Sequence, residues 1–200
     1  MDARAYWLGF HLIPNIGAAR IATLVERFGD LETAWAADFQ ALRDAGINER
    51  AARALVDHRA KISLEREWER VERAGASILT LIDDDYPRLL REIPSPPPVL
   101  YIKGEIRPED ETAIGVVGTR RVTRYGSEMT RRLSQGLASA GVVVVSGLAR
   151  GVDGIAHSEA LDAGGRTFAV LGCGVDQHYP PEHRKLSERI VEQGALVSEF

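Results

Sequence analysis

Between Thr112 and Phe200 four short apolar runs, AIGVVG, VVVVSG, TFAVLG and ALVSEF, alternate with three segments of helical period. VVVVSG is β-branched and apolar on both faces, as a strand covered on both sides must be. The intervening segments are GSEMTRRLSQGLASAG, the stretch through Ile155, Ala156 and Leu161, and HRKLSERIVEQG. Strands and helices alternating at this spacing make βαβ units, and βαβ units make a parallel sheet. ALVSEF is the start of a fourth strand and the chain stops there. The sheet is therefore expected to be truncated at its C-terminal half. The fold class is α/β, with a Rossmann-like parallel-sheet domain over 112–200.

The sequence before it has a different period. Ile21, Leu24, Val25 and Phe28 follow a helical repeat, as do Leu64, Trp68 and Val71 inside the charged run EREWERVERAG. Residues 1–75 are expected to form a small all-helical domain. SILTLID and PVLYIKG carry strand signals, and the proline-rich DDDYPRLLREIPSPPP lies between them. Tyr86, Leu89, Leu90 and Ile93 make that stretch too apolar for a solvated tether. Residues 76–111 are expected to connect the domains and pack on the sheet domain.

Composition narrows the function classes. With 44% hydrophobic and 27% charged residues the chain is globular. It contains no run of about 18 apolar residues to span a membrane. Its N-terminus, MDARAYWLGFHLIPNIG, lacks the basic and apolar regions of a signal peptide. Cys173 is the single cysteine, which excludes an intrachain disulfide and a cysteine zinc cluster. These features point to a cytoplasmic protein with no membrane partner. The net charge of −4 weighs against a uniformly basic nucleic-acid binder. The charge is unevenly spread, however: from Gly115 to Gly151 there are six arginines (120, 121, 124, 131, 132 and 150) and one acid, Glu128. Such asymmetry is the footprint of a polyanion partner. Arg131 and Arg132 are read as lying on a solvated helix face rather than in that footprint.

Ligands of parallel sheets bind beyond the carboxyl ends of the strands, and three glycine clusters fall there. In GTRRVTRYG, Gly118 allows a tight turn into a helix N-terminus, where backbone N–H groups favour an anion. Thr119 and Thr123 add hydroxyls, Arg120, Arg121 and Arg124 add forked donors, and Gly126 follows in the first helical turn. In SGLARGVDGIAH, Ser146, Gly147 and Gly151 offer close approach of a ligand to the backbone. Asp153 suits a helix cap, and His157 lies one turn further on the same face. An acid/base or metal pairing of the two lacks a third ligand at metal spacing. In LGCGVDQHYPPEH, Gly172 and Gly174 flank a strand end, Tyr179 suits either base stacking or core filling, and Cys173 has no base nearby. No catalytic residue, metal or cofactor is assigned.

These segments resemble the DNA-processing protein A (DprA/Smf) family. GTRRVTRYG is similar to its G-[ST]-R-x-x-[ST]-x-Y-G pattern, and SGLARGVDGIAH to its S-G-x-A-x-G-[IV]-D-x-x-A-H. VLGCGVDQHYP resembles its third glycine segment, and DDDYPRLLREIPSPPPVLYIKG its approach to the sheet. Val152 stands where isoleucine is common and His183 where asparagine is usual. The resemblance implies a non-enzymatic single-stranded DNA binder of natural transformation and DNA recombination. Such a protein protects incoming strands, loads the RecA recombinase and forms a homodimer when full length, with Arg120 as the matched DNA-binding arginine. LIPNIGAARIATLVERFG resembles a helix-hairpin-helix, with Gly17 and Arg20 placed for a secondary DNA contact. DAGINERAARAL resembles a degenerate second copy with Asn48 in the glycine position. A SAM-like packing or partner module without DNA contact is the other reading of these helices.

The rival is an enzyme, a nucleotide-binding phosphoribohydrolase of the lysine decarboxylase-like group. That reading expects a G-G-G-x-x-G-L-M-G-like loop where SGLARGVDG stands. A dinucleotide oxidoreductase would need a G-x-G-x-x-G fingerprint, which is missing.

Overall fold

The apolar runs become strands and the segments between them helices in a computed structural model that describes residues 1–200. The chain divides into two compact units, Met1–Arg73 with Ile78–Val99, and Ala74–Ser77 with Leu100–Phe200. The stretch expected to connect two domains is thus itself divided near Val99. A local cause is visible: Tyr86 is buried, and its hydroxyl donates to the Pro97 carbonyl at 2.8 Å. This closes the proline-rich segment into a loop of its own.

The first unit holds α1 (Arg4–His11), α2 (Ala18–Phe28), α3 (Leu31–Ala36), α4 (Phe39–Asp44), α5 (Glu49–Arg59) and α6 (Leu64–Arg73). The strand β1 (Ser77–Thr80) and the single turn α7 (Arg88–Arg91) follow. Asp30, Asp38 and Asn48 cap α3, α4 and α5, each side chain accepting from the backbone N–H three residues on. Phe10, Leu24, Leu42 and Leu55 have no exposed surface. Phe10 meets Trp35 edge to face at 5.1 Å between ring centroids.

The second unit holds β2 (Val99–Gly104), β3 (Ala113–Gly115), α8 (Arg124–Ser139), β4 (Val143–Ser146), α9 (Val152–Asp162), β5 (Thr167–Leu171), α10 (Arg184–Gln193) and β6 (Gly194–Ser198). Its strands lie in the order β2-β6-β5-β4-β3. The expected parallel pairing is present: Ile114 faces Val144, Val145 faces Phe168, and Ala169 faces Leu196. β2 departs from it by running antiparallel to β6, with Tyr101 opposite Ser198. β6 therefore has a partner on each side and is buried throughout, while β3 is an edge whose residues are all exposed.

Each crossover, from β3 to β4 to β5 to β6, steps in one direction. Right-handed crossovers then place α8, α9 and α10 on one face of the sheet. The cores agree with this. Val144 packs with Ala138, Ala156 and Ala160, and Ala169, Leu171 and Leu196 pack with Leu161 and Ile190. On the opposite face Val170 is half exposed.

Candidate nucleic-acid interface

The carboxyl ends of β3, β4 and β5 deliver the three glycine loops to one end of the sheet. In the first loop the ladder runs one residue past β3, with Val116 N donating to Val145 O at 2.8 Å. The Ser146 hydroxyl donates to Val116 O at 2.6 Å, which binds this loop to the next strand. The Thr119 hydroxyl oxygen accepts from Arg121 N at 3.1 Å. Thr123 caps α8, its oxygen accepting from Gly126 N at 3.1 Å. The amides of Arg124 and Tyr125 in the first turn of α8 find no such partner, and both residues are exposed. Two open N–H groups at a helix N-terminus, with the helix dipole behind them, favour an anion.

The fold packs neighbouring chain against most of these glycines. A Cβ on Gly118 would come within 2.6 Å of Val152 Cγ2. Gly151, at φ +79°, has the Thr119 carbonyl where its side chain would be. A Cβ on Gly174 would meet the Asp176 carboxylate, and on Gly126 the Val122 side chain. These glycines admit neighbouring chain, so their first effect is to let the loops pack on one another. Gly172 alone of this group opens on free space and is exposed. Ser146 is buried and its proton goes to Val116 O.

Charge is also redistributed by the fold. Arg131 pairs with Glu159, Arg132 with Glu128 at 2.9 Å, and Arg150 with Glu182. Arg150 holds the Glu182 carboxyl below its ordinary range. Arg120, Arg121 and Arg124 remain exposed and form no ion pair or side-chain hydrogen bond. The basic stretch read from the sequence is therefore concentrated in one loop, around the open start of α8.

Asp153 and His157 do not meet. One Asp153 carboxylate oxygen accepts from Gly147 N at 3.2 Å and Ala149 N at 3.3 Å. His157 is fully buried, with Nδ1 at 2.7 Å from the Thr167 hydroxyl. That hydroxyl donates its one proton to Val144 O at 2.6 Å. It must then accept from His157, so the proton sits on Nδ1 and the Nε2 lone pair has no partner. Burial, and next to it the charge of His183, push the His157 pKa from 6.5 down to about 3. The unfolded chain binds this proton more readily, so stability falls as the pH drops from 6.5 towards 3. Between pH 5.5 and 4.5 this site contributes a loss on the order of 1 kcal/mol. Chemical denaturation at the two pH values should show a smaller loss in His157→Gln by about that amount. An unchanged pH dependence would mean that His157 does not carry it.

In the first unit the starts of α2 and α5 open on one depression of about 490 Å³, lined among others by Gly17, Arg20, Thr23, Gly46 and Asn48. Asn48 caps its own helix, whereas Gly17 offers no side-chain cap and leaves the first amides of α2 open. An Arg20 guanidinium nitrogen rests on Asn15 O at 2.6 Å.

Residues 77–200 match the family model of DNA recombination-mediator protein A. The chain belongs to that family. Protein Smf of Synechocystis is 40% identical over 98% of this chain and 51% of its own length. DprA of Bacillus subtilis is 36% identical over 62% of this chain and 42% of its own length. The chain thus spans about half the length of the curated relatives it matches. The X-ray structure of Streptococcus pneumoniae DprA superposes on all of this chain and 68% of its own, with a TM-score of 0.81 and 26% identity. A Helicobacter pylori DprA structure, described for its single-stranded DNA binding mode, covers 64% of this chain and 57% of its own, with a TM-score of 0.55 and 33% identity.

Within this DprA-family chain, sequence reasoning missed one exposed aromatic. Tyr125 is 74% exposed at the second position of α8, next to the open amides and the three unpaired arginines. An aromatic preceding Gly126 in an arginine loop was the available signal. Tyr179, left open between core and surface, is 61% exposed and so fills no core.

Proposed function

We propose that the chain supplies the phosphate-gripping part of a non-enzymatic, single-stranded DNA-binding recombination mediator. The observation that carries this is the cluster of unpaired Arg120, Arg121 and Arg124 around the open N-terminus of α8. A phosphate placed there takes backbone N–H donors from Arg124 and Tyr125, the Thr123 hydroxyl and one or more guanidinium forks. Thr119, Gly118, Gly126, Ser146, Gly147, Gly151 and Gly174 shape the loops, and exposed Gly172 leaves room for the strand. Tyr125 and Tyr179 offer faces on which unpaired bases stack, an interaction tolerant of sequence. Gly17 and Arg20 give α2 a second, weaker phosphate contact. The buried, low-pKa His157 and the engaged Asp153 are poorly placed for acid–base work on a nucleotide, which favours binding over catalysis.

The biological reading follows from the family: a cytoplasmic protein of DNA processing and natural transformation. It protects incoming strands, hands them to RecA and acts as a homodimer at full length. No helix is long and apolar enough to cross a membrane. Fluorescence anisotropy with labelled oligothymidylate tests the binding. Affinity for the single strand should exceed that for a duplex and fall steeply with salt. Salt-independent binding, or none, would overturn the reading.

A further inference from the structure

We infer that His183 is a positioning residue that sets the shape of the arginine loop from the far side of the site. This rests on the reading of that loop as a phosphate grip. The geometry begins at Leu148, a leucine at φ +59° in the loop after β4. Leucine adopts the left-handed region rarely, and such a residue persists where its surroundings over-determine it. Three ties are visible. The Leu148 side chain is buried in the core with Leu161 and Leu171. The amides on either side, Gly147 N and Ala149 N, donate to the Asp153 carboxylate. The Leu148 carbonyl accepts from His183 Nδ1 at 2.9 Å.

The Leu148–Ala149 peptide is therefore held at both ends, its oxygen by His183 and its N–H by Asp153. Room for the imidazole comes from Gly154, where a Cβ would lie 2.6 Å from the His183 ring. Beside it Glu182 pairs with Arg150, so adjacent residues of the third loop clip the second loop twice. The second loop in turn supports the first. Gly151 packs on the Thr119 and Arg120 carbonyls, and Val152 N donates to Thr119 O at 3.2 Å. A contact 35 residues along the chain from Leu148 thus fixes the backbone that carries Arg120. It also keeps one carbonyl oxygen committed to His183, where a swing of that peptide would otherwise leave the oxygen without a donor.

His183 touches no ligand in this account, so the test separates its hydrogen bond from its bulk. An asparagine side-chain N–H springs from the same γ position as Nδ1 and is able to donate to Leu148 O. A leucine fills the hollow over Gly154 without donating. In the full chain, His183→Asn should bind oligothymidylate within about twofold of wild type, and His183→Leu about fivefold more weakly, as befits one lost hydrogen bond. Hydrogen exchange of the 146–152 peptide should rise in His183→Leu and stay unchanged in His183→Asn. Arg120→Ala is measured alongside. If Arg120→Ala weakens binding while His183→Leu does not, the positioning role is wrong and the site stands. If His183→Asn and His183→Leu are equally weakened, bulk and not the hydrogen bond matters, and the role is again wrong. If Arg120→Ala has no effect, the phosphate-grip reading and this inference fall together.

Discussion

Asp110→Ala should lower the unfolding free energy by about 3 kcal/mol, the range for breaking a buried ion pair from one side. Asp110 lies in the 3₁₀ turn Pro108–Glu111 just before β3, and its carboxylate takes both arms of Arg166, at 2.6 and 2.8 Å. It also accepts from Arg107 N at 2.7 Å. The two side chains are 3% and 21% exposed, so solvent screens the pair little. Removing the carboxylate leaves a guanidinium with only the Glu105 carbonyl and the face of Phe168 for company. It also leaves a backbone N–H without its acceptor. Urea denaturation should show a lower midpoint with an unchanged slope. Asp110→Ala combined with Arg166→Leu should recover part of the loss, because no unpaired charge then remains. Both residues stand at the amino ends of strands, opposite the glycine loops, so DNA affinity per folded molecule should be unaffected. A loss below about 1 kcal/mol would place this pair with ordinary surface salt bridges.

The parallel sheet was legible because β-branched runs such as VVVVSG have few other uses, and the helices between them set the crossover. The arginine loop was legible because glycine, hydroxyls and arginines crowd the few residues before α8. The pairing of β2 was not. An antiparallel partner for β6 comes from some 90 residues upstream, and nothing local to Val99–Gly104 specifies it. The meaning of the glycines was hidden for a similar reason. Gly151 looks like an opening for a ligand until the fold brings the Thr119 carbonyl against it. Local charge was legible only in part, since Arg131 and Arg150 pair with Glu159 and Glu182, which lie 28 and 32 residues away. A count over Gly115–Gly151 includes neither acid.

That redistribution of charge makes the arginines unequal, and Arg120→Ala should weaken single-stranded DNA binding about tenfold, the worth of one charge-assisted contact. Arg132→Ala should change it less than about twofold, because Arg132 is already paired with Glu128 one turn away on an exposed helix face. Arg120 has no carboxylate to leave, so its guanidinium meets a phosphate without breaking an existing pair. The loop that carries it is packed against Gly151, which fixes its backbone before any ligand arrives. Losing one phosphate contact should lower the slope of log affinity against log salt by roughly 0.7. The loss should be uniform across base sequences, since a phosphate contact carries no base information. The melting temperature should not move, because the exposed Arg120 side chain makes no hydrogen bond or ion pair in the folded state. Titrations of both variants at several salt concentrations would resolve this. Equal losses for Arg120→Ala and Arg132→Ala would indicate diffuse attraction by the whole face. A defined grip at the start of α8 requires the difference.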